Sequence, residues 1–165
     1  MRRFDYHEPT TLEEASRLMT TLGEGAFLLA GGTDLFVEIR ERLRSMSHLI
    51  NIKRVPGLDR IDWSEAEGLR FGALVTAGQL EASPHVAARY PNLQTAMRAL
   101  ASIQVRNRAT VIGNICRASP SADSIPPLIA DGASSECPGA DKAQIAMRVG
   151  AGLFCCTVRA SEVIV

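Results

Sequence analysis

Leu28-Leu29-Ala30-Gly31-Gly32-Thr33-Asp34-Leu35 reads as the end of a buried strand that turns on glycine and runs into a helix. Ala26 to Ala30 carries the apolar run of a strand, and Asp34 to Leu43 carries apolar Leu35, Val37, Ile39 and Leu43 for a helix. The Gly31-Gly32 turn then sits at a helix N-terminus, where unpaired N–H groups and the positive dipole end suit an anion. A glycine pair alone is also how an ordinary strand-to-helix turn is built. The flanks decide the fold. Phe4-Asp5-Tyr6 before it and His48-Leu49-Ile50-Asn51-Ile52 after it are strand candidates. Thr11-Leu12-Glu13-Glu14 fits a capping box that opens a helix through Leu12, Ala15, Leu18, Met19 and Leu22, closed by Gly23. Strand, helix, strand, helix, strand implies parallel pairing.

Further along, Ala109-Thr110-Val111-Ile112-Gly113-Asn114-Ile115 repeats the pattern: apolar, strand-like residues, then a sharp glycine turn into small polar groups. Between the two stretches, Leu58 to Asp62 and Leu69 to Ala73 are expected to pair as strands, with Trp63 and Ser64 to Gly68 as their connection. Thr76-Ala77-Gly78-Gln79-Leu80 and Ser83-Pro84-His85-Val86 open helices, and Leu93 to Ala101 is helical. Two lobes are expected, residues 1–55 and 56–165. Arg106 and Arg108 read either as a solvated basic pair or as cations beside a phosphate. Ser119, Ser121 and Asp123, entering a short helix from Leu128 to Ala130, read either as caps or as groups bonded to a polyol and phosphates.

Composition narrows the function classes. Of 165 residues, 46% are apolar, enough to bury a core. Eighteen Lys and Arg balance eighteen Asp and Glu, which argues against a nucleic-acid track or an anionic-membrane patch. No stretch approaches membrane-spanning length, and a cytoplasmic location is expected. Cys116, Cys137, Cys155 and Cys156 form no Cys-x-x-Cys pair and have no histidine at ligand spacing, so they read as thiols and not as a metal or cluster site. His48 reads as a strand-edge residue with no acid or nucleophile near it in sequence, and His7 and His85 have less still to recommend them as catalytic groups.

Several ordered motifs together resemble one family. They are Phe4-x-Tyr6-x-x-Pro9-x-Thr11-Leu12-x-Glu14-Ala15, then Leu29-Ala30-Gly31-Gly32-Thr33-Asp34-Leu35, then Gly72-Ala73-x-x-Thr76. Val105-Arg106-Asn107-x-Ala109-Thr110-x-x-Gly113-Asn114-Ile115-Cys116-x-Ala118-Ser119-Pro120-x-Ala122-Asp123-x-x-Pro126-Pro127-Leu128 completes the set. The pattern resembles the FAD-binding medium subunit of molybdenum hydroxylases, the family of carbon monoxide dehydrogenase medium subunits and xanthine dehydrogenase FAD domains.

The resemblance implies an α/β (α+β) fold of the vanillyl-alcohol-oxidase-like type, a small parallel N-terminal lobe and a larger mixed-sheet lobe clasping FAD. It places the turn Ala30, Gly31, Gly32, Thr33 and Asp34 on the pyrophosphate, with Thr33 adding a hydroxyl, and Thr110, Gly113 and Asn114 on its other side and towards the flavin, while Leu29, Leu35 and Ile112 count among the cofactor-binding residues. Ser119 and Asp123 are expected on phosphate or ribityl oxygens, Leu100 near the isoalloxazine, and Arg106 in the site. No residue of this chain is expected to act as catalytic acid, base or nucleophile. The implied role is electron transfer through FAD, from [2Fe-2S] clusters in a small subunit to an external acceptor, with the molybdenum cofactor in a large subunit and a dimer of heterotrimers as the assembly.

Two departures from the family pattern carry expectations of their own. Ile112 stands where the family has a glycine, so a β-branched side chain is expected at a place of positive φ or of close ligand approach, with strain of about 1–3 kcal/mol or a clash as the result. The family also continues into a C-terminal domain of roughly one hundred residues, which is expected to be absent here with the second lobe incomplete at its C-terminus; after the polar loop Ser134 to Gln144, Ile145 to Val165 resembles the closing strands of the FAD lobe only loosely. An exposed apolar face is the expected result. The competing readings are a scaffold or fragment of the same fold that has lost FAD, and a self-contained flavin oxidase.

Overall fold

The computed structural model describes residues 3–117, 119 and 122–133. The expected polar loop and closing strands from Ser134 onward, Ser121, and the cysteines Cys137, Cys155 and Cys156 lie outside the described residues.

Three strands, β1 (Asp5–His7), β2 (Ala26–Leu29) and β3 (His48–Asn51), form a parallel sheet in the order β1-β3-β2. Both neighbours align on His48, which faces Asp5 on one side and Ala26 on the other. The central strand is buried on both faces, as parallel sheets are. Ile50 packs with Met19 and Ala26 on one face, and Leu49 with Leu29 and Met46 on the other.

Helix α1 (Leu12–Leu22) covers the first face through Ala15 and Met19, at the helical spacing expected of it. Its start is capped reciprocally. Thr11 Oγ1 accepts the Glu14 amide at 3.2 Å, and the Glu14 carboxylate reaches back to the Thr10 amide at 2.9 Å.

The second helix is shorter than the sequence suggests. Helix α2 spans Leu35–Arg40, and the chain then turns through Arg42 at φ 62, with the Leu43 amide donating to Glu38 O at 2.9 Å. This left-handed closure, usually made by glycine, ends the ladder before Leu43. Leu35 and Ile39 face the sheet, whereas Val37 and Leu43 are exposed together with Phe36. The apolar periodicity therefore overstated the buried face.

The chain from Ile61 to Ala133 has its own core. Strands β4 (Ile61–Ser64) and β5 (Gly68–Phe71) are antiparallel, with Trp63 opposite Leu69 and Ser64 opposite Gly68. Trp63 and Ser64 thus belong to the strand, and the connection is only 65–67. Trp63 was easy to misplace because its ring is held by side chains distant in sequence: Arg89 lies 3.8 Å over its centroid and His85 stacks at 5.8 Å.

Helices α3 (Ala77–Ala82), α4 (Pro84–Arg89) and α5 (Pro91–Ala99) follow, with Thr76 and Gln79 forming a full capping box on α3. Short α6 (Ile103–Arg106), α7 (Val111–Arg117) and α8 (Ile125–Ala130) complete the described chain. Val75, Leu80, Val86, Leu93, Met97, Val111 and Leu128 meet in one cluster.

Candidate functional site

The two glycine stretches meet. An added Cβ on Gly31 would lie 2.2 Å from Arg108 O and 3.0 Å from Thr110 N, so only glycine lets the β2 turn touch the backbone before α7. Gly32 follows at φ +78, and the Phe36 amide to Gly32 O bond, 3.1 Å, opens the helical ladder. The amides of Thr33, Asp34 and Leu35 precede that bond and are the donors a helix start leaves to other partners.

The second stretch is not a strand. Val111 and Ile112 form the first turn of α7, because Thr110 caps it: its Oγ1 accepts the Gly113 amide at 3.1 Å, and its carbonyl accepts the Asn114 amide at 3.0 Å. Thr110 also bridges Thr76. Two β-branched residues suggested a strand, while the threonine three residues before Gly113 was the missed helix signal. Ile112 is 8% exposed and packs in the core. Its φ is not positive, since among the described non-glycine residues only Arg42 and Ala101 have that geometry. The backbone strain expected at Ile112 is absent.

Between these elements lies a cavity of ≈ 770 Å³, within the range of cofactor pockets. Thirteen of the expected residues line it: Ala30, Gly31, Gly32, Thr33, Asp34 and Leu35 from the first stretch, Thr110, Ile112, Gly113 and Asn114 from the second, and Leu100, Ser119 and Asp123. Leu29 and Arg106 are not among its lining residues. Leu29 is in the sheet core, and the Arg106 guanidinium is bound to Glu81 Oε2 at 2.9 Å and to the carbonyls of Leu100 and Ala101 at 3.2 Å each.

Sequence reading missed four residues here. Ser124, fully buried, donates its hydroxyl to Asn114 Oδ1 at 2.6 Å, so the Asn114 amide nitrogen is the end left for an acceptor on a ligand. Glu38, 7% exposed, places one carboxylate oxygen 2.7 Å from Arg44 Nε and the other 2.7 Å from Arg117 Nη2. Both arginines line the cavity. This pairing ties the α2 turn to α7 across the cavity wall; the three groups together carry one net positive charge, set against the Asp34 and Asp123 carboxyls that also line the cavity. Only the tertiary fold brings Ser124 to Asn114 and Arg117 to Glu38, and no local motif marks them.

FAD fits this donor set. Backbone amides and the Thr33 hydroxyl suit the pyrophosphate, the arginine pair supplies positive charge, and Leu28, Ile52, Leu100 and Val105 give apolar walls.

Across Gly31 is a smaller hollow of ≈ 360 Å³ with Lys53, Arg54 and Arg108 at its edge. Burial, and then the charge of Arg108, push the Lys53 ammonium below the ordinary lysine pKa. The unfolded chain therefore holds this proton to higher pH than the native one. The penalty is complete below the folded value, and stability recovers as pH rises from there to the ordinary lysine value. Lys53→Gln is expected to stabilise the chain near neutral pH by no more than about 0.5 kcal/mol, since the group is largely solvated. Urea melts should show that difference disappearing as the pH approaches the ordinary lysine value, and a difference that grows with pH would contradict the assignment.

His48 lies at the sheet, outside the cavity lining. Pairing of β1 with β3 brings Asp5 Oδ2 to 3.6 Å and His7 Nε2 to 3.4 Å from its Nδ1.

Residues 2–155 match the model of a family described as FAD binding domain in molybdopterin dehydrogenase. The chain is 40% identical over 121 residues to the carbon monoxide dehydrogenase medium chain of Hydrogenophaga pseudoflava, covering 73% of this chain and 42% of that one. It is 36% identical over 124 residues to the putative xanthine dehydrogenase FAD-binding subunit XdhB of Escherichia coli K12, covering 75% and 42%. The chain thus spans under half the length of these curated relatives.

Among solved structures, carbon monoxide dehydrogenase from H. pseudoflava lacking the Mo-pyranopterin moiety superposes with a TM-score of 0.89 at 34% identity, over 99% of this chain and 57% of that one. Quinoline 2-oxidoreductase from Pseudomonas putida 86 gives 0.88 at 27% identity, over 99% and 57%. Family model, relatives and fold agree: this chain belongs to the FAD-binding domain family of the molybdopterin dehydrogenases.

Proposed function

We propose that this chain is the FAD-binding electron-transfer part of a molybdenum-containing dehydrogenase, receiving electrons from [2Fe-2S] clusters in a small subunit and passing them to an external acceptor. The carrying observation is the convergence of two distant glycine stretches on one cavity, with amides, a threonine hydroxyl and an arginine pair around it. Bound there, FAD supplies a carrier that exchanges electrons singly or in pairs. The residues 30–35 turn and Thr33 hold the pyrophosphate from one side, and Thr110, Gly113 and Asn114 hold it from the other. Ser124 fixes the Asn114 amide, and Leu100 packs near the isoalloxazine. Ser119 and Asp123 meet phosphate or ribityl oxygens.

The division at 1–55 and 56–165 is the lobe boundary in this reading. The relatives' own names, medium chain and FAD-binding subunit, support partner subunits. We assign an iron–sulfur small subunit and a molybdenum large subunit, assembled as a dimer of heterotrimers. The substrate chemistry then belongs to the large subunit. A cytoplasmic location goes with this reading. No helix among the described residues is long and apolar enough to cross a membrane.

The test is FAD titration of the purified chain, read by quenching of flavin fluorescence and by a flavin spectrum that survives gel filtration. Retention at about micromolar affinity or tighter is expected. A chain that stays colourless after loading would replace this reading with a scaffold of the same fold.

A further inference from the structure

The α5–α6 turn forms part of the cavity wall through Leu100 and Ala101, and Ala101 is held at φ 42. Left-handed geometry is costly for any residue with a Cβ, so something must hold Ala101 there. Arg106 is placed to do it. Its Nη1 donates to both Leu100 O and Ala101 O at 3.2 Å, and its Nε meets Glu81 Oε2 at 2.9 Å. The side chain is 12% exposed, and the other Glu81 oxygen lies 3.5 Å from Arg98 Nε, which steadies the anchor. One planar guanidinium therefore joins α3 to two consecutive carbonyls of the turn. A lysine has no such fork and could not serve all three acceptors in this geometry.

We propose that Arg106 is a positioning residue for the bound cofactor: anchored on Glu81, it clamps the Leu100 and Ala101 carbonyls and sets the shape of the wall that meets the ligand. It acts on the cofactor only through the turn, and not as a cation beside a phosphate. The ligand part of this assignment rests on the FAD reading above, and the clamp itself does not.

The experiment compares the full chain with Arg106→Gln, Arg106→Lys, Ala101→Gly and the Ala101→Gly/Arg106→Gln pair, by FAD titration and by amide exchange without FAD. Arg106→Gln should weaken FAD about tenfold, the factor carried by one charge-assisted hydrogen bond, and should change the absorption envelope of the bound flavin. Arg106→Lys should recover only part of that loss. In the Ala101→Gly background the Arg106→Gln penalty should shrink to about threefold, because glycine adopts the left-handed turn unaided.

Equal penalties in the two backgrounds, or an unchanged flavin envelope, would overturn the clamp and leave Arg106 a general support of the fold. If Arg106→Gln does not fold, Glu81→Gln removes the anchor with Arg106 in place and should weaken FAD in the same direction; unchanged affinity overturns the proposal. If the parent chain binds no FAD, the functional reading fails and exchange decides the clamp. Faster exchange at 100–102 in Arg106→Gln, with the β1–β3 sheet unchanged, supports it, and unchanged exchange there overturns it.

Discussion

Gly31→Ala is expected to cost about 3 kcal/mol, the upper end of overpacking penalties, because the new methyl carbon would meet backbone and not a side chain that can swing away. Its position 2.2 Å from Arg108 O and 3.0 Å from Thr110 N forces apart the β2 turn and the residues that cap α7. Those are the two halves of the cavity, so FAD retention should be lost along with stability. On this scale the melting temperature falls by roughly 10 °C.

The cause is contact and not conformation, since Gly31 does not use the left-handed region. Gly57 provides the comparison: it sits at φ +85 with nothing within 4 Å of an added Cβ. Gly57→Ala should cost only about 1 kcal/mol, the ordinary penalty for alanine in that region, and leave FAD binding alone. Melting curves of the two variants, each titrated with FAD, make the test. Equal losses would show that the junction between the two glycine stretches is looser than the contact distances say.

Glu38→Gln should cost about 1–3 kcal/mol, nearly isosteric though it is, by weakening two charge-assisted bonds at once. The carboxylate is buried, but the Arg44 and Arg117 side chains are 44% and 39% exposed, which keeps the loss below that of a fully buried ion pair. Salt should therefore narrow the gap between parent and variant without closing it. In a double-mutant cycle, Glu38→Gln and Arg117→Gln should couple by about 1 kcal/mol or more. Denaturant midpoints of the four proteins measure this. Simple additivity would mean that the link from the α2 turn to α7 contributes nothing, and that the cavity wall is held by packing alone.

Elements with a local cause were legible from the sequence. Thr11 and Glu14 marked the start of α1, Thr76 and Gln79 that of α3, and Pro84 that of α4. The apolar runs at Ala26–Leu29 and His48–Asn51 gave the strands, and their alternation with helices gave parallel pairing. Where local and tertiary forces disagreed, the reading failed. Val37 and Leu43 kept helical spacing, but Arg42 closed the turn early. Val111 and Ile112 looked like strand until Thr110 capped them into a helix.

Capping boxes, apolar periodicity and glycine turns act within a few residues, and a reader of the sequence meets both partners together. By itself, therefore, the sequence determined the parallel N-terminal lobe, the two glycine stretches and, through their ordered motifs, the family. Tertiary structure alone decided which charges meet. Glu38 finds Arg117, Arg106 finds Glu81 and the Ala101 turn, and Ser124 orients Asn114 only after the chain has closed on itself. Such partners are chosen by burial, because a desolvated charge or hydroxyl must find its counterpart wherever the fold delivers one.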